Sequence, residues 1–449
     1  MESVLKLRLR LDPASKMVLE SQSKITNWLY NHLLEEANKL RFSDQKSQSP
    51  EIAKILYSKR GLRNLVPSLK NEYPFLRTVY SSPLKNAALR LSGAIQDYQQ
   101  SRKGKRKGKK TGWPKFRSFK RKFFSLLYDE PGKGWKIDGK KICISLGVDE
   151  NRKRIYVYGE LEKFLSDFTE KEVRNLRITR DEKDFYCVFT VKEKEVEQKK
   201  IRKVIALDPN HKNLVYGTGS DGNGFEIMNP WFLKPLQKRI DQLKSKRDKC
   251  KRKSKKLILE GDREVWLSSK RYNRINKRLQ NVYRKRREQT KTYLYTVSNW
   301  LCSNYDLISI GDYTPKGGGV NKGMRRAMNN ESLIGRLKLT CMWKCKKSGK
   351  HYYEWNERGS TRTCCGCGQK VHSGLSPNIR IWICSKCSRV HYRDENAAIN
   401  GLKRTLKEFQ FPGSGHLLED ILEIKNSNKW ALRYDGLGLK RKLNPGANV

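Results

Sequence analysis

Two C-x-x-C pairs constrain this chain more than any other feature. Cys364 and Cys367 form the first and Cys384 and Cys387 the second, with 16 residues between the pairs. Each turn supplies two thiolates at adjacent tetrahedral corners, so the pattern predicts a four-thiolate zinc ribbon closed by a hairpin. A set of four thiolates leaves no coordination position for water, which predicts one structural Zn²⁺ ion rather than a catalytic one. Cys365 is an extra thiol one residue too close to Cys367 to make such a turn, and His372 and His391 are read as bystanders. The remaining cysteines of the 11 are scattered. Cys341 and Cys345 share a helix face at i, i+4 and are read as core or surface residues. This is metal-site usage, not a disulfide framework.

Charge bounds the partners. Lys and Arg total 97 against 46 Asp and Glu, a formal net charge of +51 over 449 residues. Such a surplus opposes compaction unless a polyanion neutralises it, and nucleic acid is the expected polyanion. Residues 102–123 read RKGKRKGKKTGWPKFRSFKRKF. Residues 102–111 alone would pass for a solvated linker. From Trp113 onward the rings interleave with cations, so Trp113 and Phe116 are expected to stack on bases while Lys110, Lys115, Arg117, Lys120 and Arg121 track phosphates. No run approaches the roughly 18 apolar residues of a membrane span, and MESVLKLRLRLDP lacks signal-peptide character. The expectation is a soluble, intracellular protein without a membrane partner, cytoplasmic and nucleoid-associated if prokaryotic.

The periodicities predict an α+β multidomain chain of about three domains. Leu5, Leu7, Leu9 and Leu11 alternate with Lys6, Arg8 and Arg10 as a half-buried strand ended by Asp12-Pro13. Residues 15–100 turn helical, with breaks near Pro67 and Pro83 and an apolar face at Trp28, Leu29, Leu33 and Leu34. Residues 134–195 are rich in strand signals, and with the first strand they suggest a small β-barrel (1–14 and 125–200) into which a helical segment (15–124) is inserted. A composition shift at 193–203 reads as a linker. Then come a buried strand VIALDPN, a hairpin, long basic helices over 232–300, the buried strand DLISIGDY, a Gly-rich loop (Lys316 to Val320) and a helix through Leu337, Leu339 and Trp343. These elements make an α/β domain (201–355 and 393–410) with the ribbon (356–392) inserted. Residues 411–449 read as a basic tail without an assigned role.

Three acids stand out around this frame. Asp208 ends the apolar strand Val204–Leu207, where a carboxylate can emerge at the sheet edge. Glu357 lies in WNERGSTRTCCGCG, and Asp394 opens the helical run DENAAINGLKRTL with Asn396 and Asn400 one turn apart. Two-metal phosphodiester hydrolysis needs carboxylates from separate elements converging on divalent ions about 3.5–4 Å apart. A single strand-end Asp is usually a turn or cap residue; the order of strand acid, ribbon and helix acid is what carries the reading.

On these pieces the chain resembles the TnpB family of transposon-encoded RNA-guided nucleases, with its relatives the compact type V CRISPR effectors and the eukaryotic Fanzor proteins. GWPKFRSF is similar to G-x-P-x-F-K-S, and VIALDP to the first RuvC motif. NERGSTRTCCGCG is similar to N-E-x-x-T-T-x-x-C-S-x-C-G, and HYRDENAAIN to H-D-R-D-x-N-A-A-x-N. The resemblance implies a β-barrel wedge, a helical recognition domain, and an RNase H-like RuvC domain with an inserted zinc ribbon. It implies an RNA-guided DNA endonuclease with guide RNA and target DNA as partners, acting as monomer or dimer on its guide. It also implies two Mg²⁺ ions (Mn²⁺ as substitute) held by Asp208, Glu357 and Asp394. Asp312, at the end of SIGDY, is the alternative middle acid, and Glu354 a further one. Asn210 stands where D-x-G has glycine, Tyr392 replaces the first Asp of D-R-D, and Cys365 replaces a serine. A cleavage-inactive RNA-guided repressor and a guide-independent transposase are the competing functions.

Overall fold

The computed structural model describes residues 2–443 apart from 48, 107–109, 119–122, 164–171, 182–183, 193–194, 253–255, 260–262, 314–327, 329–331, 372–374, 376–377 and 411–428. Lys120, Arg121, His372 and the Gly-rich loop therefore lie outside the described residues. The chain divides into two compact units, Met1–Glu195 and Val196–Val449. Among the described residues no helix is long and apolar enough to cross a membrane.

The first unit begins with β1 (Glu2–Arg10), whose Leu7 and Leu9 point into the core while Lys6, Arg8 and Arg10 face out. Asp12 caps the next helix: its carboxylate accepts from the Ser15 N–H at 2.9 Å. Helices α1 (Pro13–Ser47), α2 (Pro50–Tyr57), α3 (Gly61–Asn64), α4 (Val66–Glu72) and α5 (Ser81–Arg102) then pack around Leu29, Leu33, Leu56, Leu62, Leu84 and Leu91. Pro67 and Pro83 sit in the first turns of α4 and α5, where a missing N–H breaks no intrahelical bond. They start helices as well as ending what precedes them.

Strands β2 (Ser125–Tyr128), β3 (Trp135–Asp138), β4 (Lys141–Val148), β5 (Arg154–Leu161), β6 (Glu172–Asp181) and β7 (Asp184–Lys192) join β1 in one antiparallel sheet, ordered β2-β6-β7-β1-β5-β4-β3. The sheet curls. Trp135 on the β3 edge meets Phe189 on β7 with ring centroids 5.7 Å apart, although three strands lie between them. Register shifts at Ser145/Gly147 and Val173/Asn175 sharpen the bend. Gly147, at φ +134°, is obligatory: a Cβ there would sit 2.4 Å from the Arg77 carbonyl oxygen. Among the described residues no ladder joins β2 to β3, so the expected closed barrel is observed as a curled sheet. The helices are inserted between β1 and β2.

The second unit is built on a mixed sheet ordered β14-β13-β8-β9-β10-β17-β18. Its strands are β8 (Val204–Pro209), β9 (Val215–Gly219), β10 (Gly224–Ile227), β13 (Leu307–Gly311), β14 (His351–Trp355), β17 (Lys429–Tyr434) and β18 (Leu439–Leu443). β8 runs parallel to β13 and antiparallel to β9. Helices α7 (Lys270–Asn304) and α8 (Ile334–Ser348) cover one face, meeting Ile205, Leu207, Ile308 and Ile310. Helix α9 (Arg393–Glu408) covers the other, meeting Val204, Ala206 and Leu307. A strand buried on both faces reads as a continuous apolar run, which is why VIAL shows no alternation.

Three features were not anticipated. A short hairpin, β11 (Lys256–Leu259) with β12 (Arg263–Trp266), separates α6 (Leu233–Arg252) from α7 within the stretch read as long basic helices. The basic tail supplies two strands, β17 pairing in parallel with β10. Trp430 of β17 stacks on Phe225 at 4.8 Å. Cys341 and Cys345 are core residues as expected, beside Cys302, whose Sγ lies 3.7 Å from that of Cys345.

Candidate active site and zinc ribbon

Strand parity delivers the first acid. Val204 and Ala206 face α9, so the side chain two positions on, Asp208, points to the same layer at the C-terminal end of a central strand. It is 6% exposed. Burial, and then the negative charges of Glu357 and Asp394, hold its carboxyl well above the usual range; Arg393 and Arg380 pull the other way. The charges of Glu357 and Asp394 thus both reach Asp208.

Glu357 follows β14. Its N–H donates to Asp312 Oδ1 at 3.0 Å, while the Asp312 N–H donates to the Trp355 carbonyl at 2.9 Å. Asp312 is exposed. It shapes the turn that presents Glu357. Glu354 is exposed and bonded to Lys338 and Tyr352. Burial pushes the Glu357 carboxyl up to about 7, with Lys338 opposing and Asp312 adding to the shift. Its Oε1 is buried without a hydrogen-bond partner among the described residues. Gly311, on the α9 side of β13, makes room for it: a Cβ there would lie 1.9 Å from that oxygen.

Asp394 occupies the first turn of α9, where the helix dipole favours a carboxylate. Arg380 donates to both its oxygens at 3.2 Å, and Asn210 Nδ2 stands 3.4 Å from Oδ2. Asn210 has no positive φ. Its Oδ1 accepts from the Asn213 N–H at 2.8 Å, so a side-chain turn replaces the glycine of the resembled motif. Arg380 was not anticipated, because nothing in its local sequence marks it.

Helix α9 also grips the segment that carries Glu357. Asn396 Nδ2 donates to the carbonyls of Ser360 (3.0 Å) and Thr363 (2.8 Å), and Asn400 Nδ2 donates to the same two at 2.9 and 2.7 Å. Asn396 Oδ1 accepts from the Cys365 N–H at 2.9 Å. One turn on, Lys403 donates to the Cys365 carbonyl, and Arg404 to the carbonyls of Asn356 and Arg358. Gly401 admits the ring of buried Trp355, which a Cβ would meet at 2.5 Å. One face of α9 thus fixes residues 356–365 against the helix that bears Asp394. The spacing of Asn396 and Asn400 was the visible sign of it.

The ribbon converges as expected. The Sγ atoms of Cys364, Cys367, Cys384 and Cys387 lie within 4.8 Å of one another, the one such cluster of His, Cys, Asp or Glu among the described residues. Cys364 to Cys387 and Cys367 to Cys384 are both 3.6 Å, against about 3.8 Å for the edge of a tetrahedron of thiolates around zinc. The donor set fits Zn²⁺. The hairpin is β15 (Ile381–Ile383) with β16 (Val390–Tyr392). His391 is outside the ligand set yet touches it: its Nε2 lies 3.1 Å from Cys364 Sγ and its ring packs on Trp382 at 4.5 Å. Cys365 is buried in the core beneath α9.

The basic aromatic segment divides. Trp113 Nε1 donates to Asn38 at 2.8 Å, and Arg41 lies over the same ring. Arg117 is tied to Asn31 and Asn27 and lies 3.6 Å from the Tyr30 ring centre. Both residues anchor the segment to α1. Lys110, Lys115 and Phe116 (57% exposed) remain on the surface.

Residues 335–401 match the family model described as Cas12f1-like, TNB domain. TnpB-like proteins L79 and L770 of Acanthamoeba polyphaga mimivirus are each 32% identical over 148 residues, 31% of this chain. Over this stretch the chain is similar to those viral TnpB-like proteins. The match covers only 28% of the length of either viral relative. Among solved structures, the Cas12f1–sgRNA–target DNA complex aligns over 89% of this chain and 98% of its own, at 10% identity and a TM-score of 0.47. The mini-RNA-guided endonuclease CRISPR-Cas phi3 aligns over 90% and 92%, at 12% identity and a TM-score of 0.39.

Proposed function

We propose that this TnpB-like chain is an RNA-guided DNA endonuclease with a single cutting site at Asp208, Glu357 and Asp394. The observation that supports the reading is Asp208, buried at a strand end within reach of the charges of Glu357 and Asp394, with Glu357 Oε1 buried and without a hydrogen-bond partner among the described residues. Carboxylates held together against their own repulsion are suited to a divalent cation. Bound there, Mg²⁺ would supply an activated water and stabilise the leaving oxygen. The chain's own residues do the rest. Asn210 and Arg380 orient Asp394, Gly311 leaves space for Glu357, and the α9 clamp holds the loop in register. A central strand with a hairpin on one side and parallel strands on the other supports an RNase H-like reading of this unit. The surplus of +51 supports a guide RNA and target DNA as partners.

The test begins with the protein expressed beside its native flanking DNA. The RNA that co-purifies should have a constant scaffold and a variable end, and DNA matching the variable end should be cut only with Mg²⁺. Asp208→Ala should abolish cutting and leave RNA binding intact. Retained cutting would overturn the assignment.

A further inference from the structure

A cavity of about 390 Å³ opens beside the loop that follows Asp208. Asn210 forms part of its wall and also contacts Asp394, so the cavity borders the acidic site. The wall is held firmly: Asn229 Nδ2 donates to the carbonyls of Asn213 at 2.7 Å and His211 at 3.3 Å. His211 is fixed in turn by Tyr313, 3.1 Å away.

At its rim stands Trp231, 64% exposed, its indole edge-on to the buried ring of Phe232 at 5.9 Å. Exposed Lys212 and Lys234 flank it. Helix α6 starts here with no acid in its first turn, so its positive end faces the same region. Among the described lining residues none is acidic. A flat aromatic face beside two lysines and a helix start is the combination that binds a nucleotide, base on the ring and phosphate at the cations.

We propose that this cavity is a subsite for one nucleotide of the strand led to the acids, its base stacked on Trp231 and its phosphate beside Lys212 and Lys234. The inference rests on the endonuclease reading and adds the position at which the strand is gripped.

The test needs no cutting. A 12-nucleotide single-stranded DNA carries 2-aminopurine at each position in turn. It is titrated with the full-length protein and its accompanying RNA, without added Mg²⁺. One position should be quenched by stacking. Trp231→Phe should keep that quenching; Trp231→Ala should abolish it and weaken binding about tenfold. The double change Lys212→Gln, Lys234→Gln should lower the salt dependence of binding by about two phosphate contacts. Unquenched wild type, or equal quenching in Trp231→Ala, overturns the subsite, the second being the outcome if the cavity instead takes a protein segment. The thermal midpoint of Trp231→Ala reports separately on folding. A chain that cuts guided DNA without this quenching keeps its endonuclease reading and loses only the subsite. A chain that stacks the base and never cuts keeps the nucleotide site and loses the endonuclease.

Discussion

Glu357 and Gly311 form a pair in which one residue's missing side chain is the other's place. Gly311→Ala puts a methyl where Glu357 Oε1 lies, so the carboxylate must move while the strand remains. We expect cleavage to fall about 100-fold, the cost of a small misplacement at a reacting centre, with the zinc content of the purified protein unchanged. The same carboxyl makes stability depend on pH. Its folded value, about 7, lies above the ordinary 4.5, so the contribution is full below pH 4.5 and lost as pH rises through 7. Melting curves of wild type and Glu357→Gln should therefore diverge to the wild type's disadvantage between those values. Added Mg²⁺ should close the gap, and a gap unmoved by Mg²⁺ would argue against a cation at this site. Asp208 and Asp394 were legible in the sequence because a strand end and a helix start mark them. Glu357 was preferred to Asp312 there only through the resemblance, since which carboxylate the turn after β14 aims inward is a matter of the fold. Trp113 and Arg117 were similarly opaque: ring and charge alone do not separate an internal anchor from a contact surface.

Among the elements, α9 does most to organise the site. Asn396 and Asn400 share two acceptors, the carbonyls of Ser360 and Thr363. Losing either leaves both oxygens with one donor; losing both leaves them buried and bare. Asn400→Ala should cost about 1 kcal/mol, Asn396→Ala more because it also strips the Cys365 N–H of its acceptor, and the double change more than the sum, because orphaned carbonyls add about 1–3 kcal/mol apiece. Denaturant titration of the four proteins of the cycle measures this, and strict additivity would dissolve the clamp. The helical run after Asp394, with Asn396 and Asn400 one turn apart, was readable in the sequence. What its four polar side chains grip was not, because their acceptors are backbone atoms that no side-chain pattern encodes.

At the level of the molecule, the main surprise is how β17 completes the second sheet. Its partner β10 lies some 200 residues earlier, and parallel pairing over that distance leaves no trace in a local pattern. Removing residues 429–449 should strip Trp430 from Phe225 and bare the edge of β10. The expected outcome is a lower thermal midpoint and concentration-dependent association of the truncated protein, read by light scattering. An unchanged midpoint would mean that the sheet is complete without them. The curled sheet was foreseen in its strands, whose alternation is clear, while closure depends on edge pairing that alternation does not specify.

The two faces of β8 carry a consequence for how this chain can change length. Ile205 and Leu207 belong to one layer, and Val204, Ala206 and Asp208 to the other. Adding or removing one residue ahead of Asp208 would turn the acid into the oily layer under α7 and α8 and send a leucine toward Glu357. Two residues would restore the face but carry the acid about 6–7 Å along the strand, away from its neighbours. An odd change in length thus turns the acid away, and an even one displaces it.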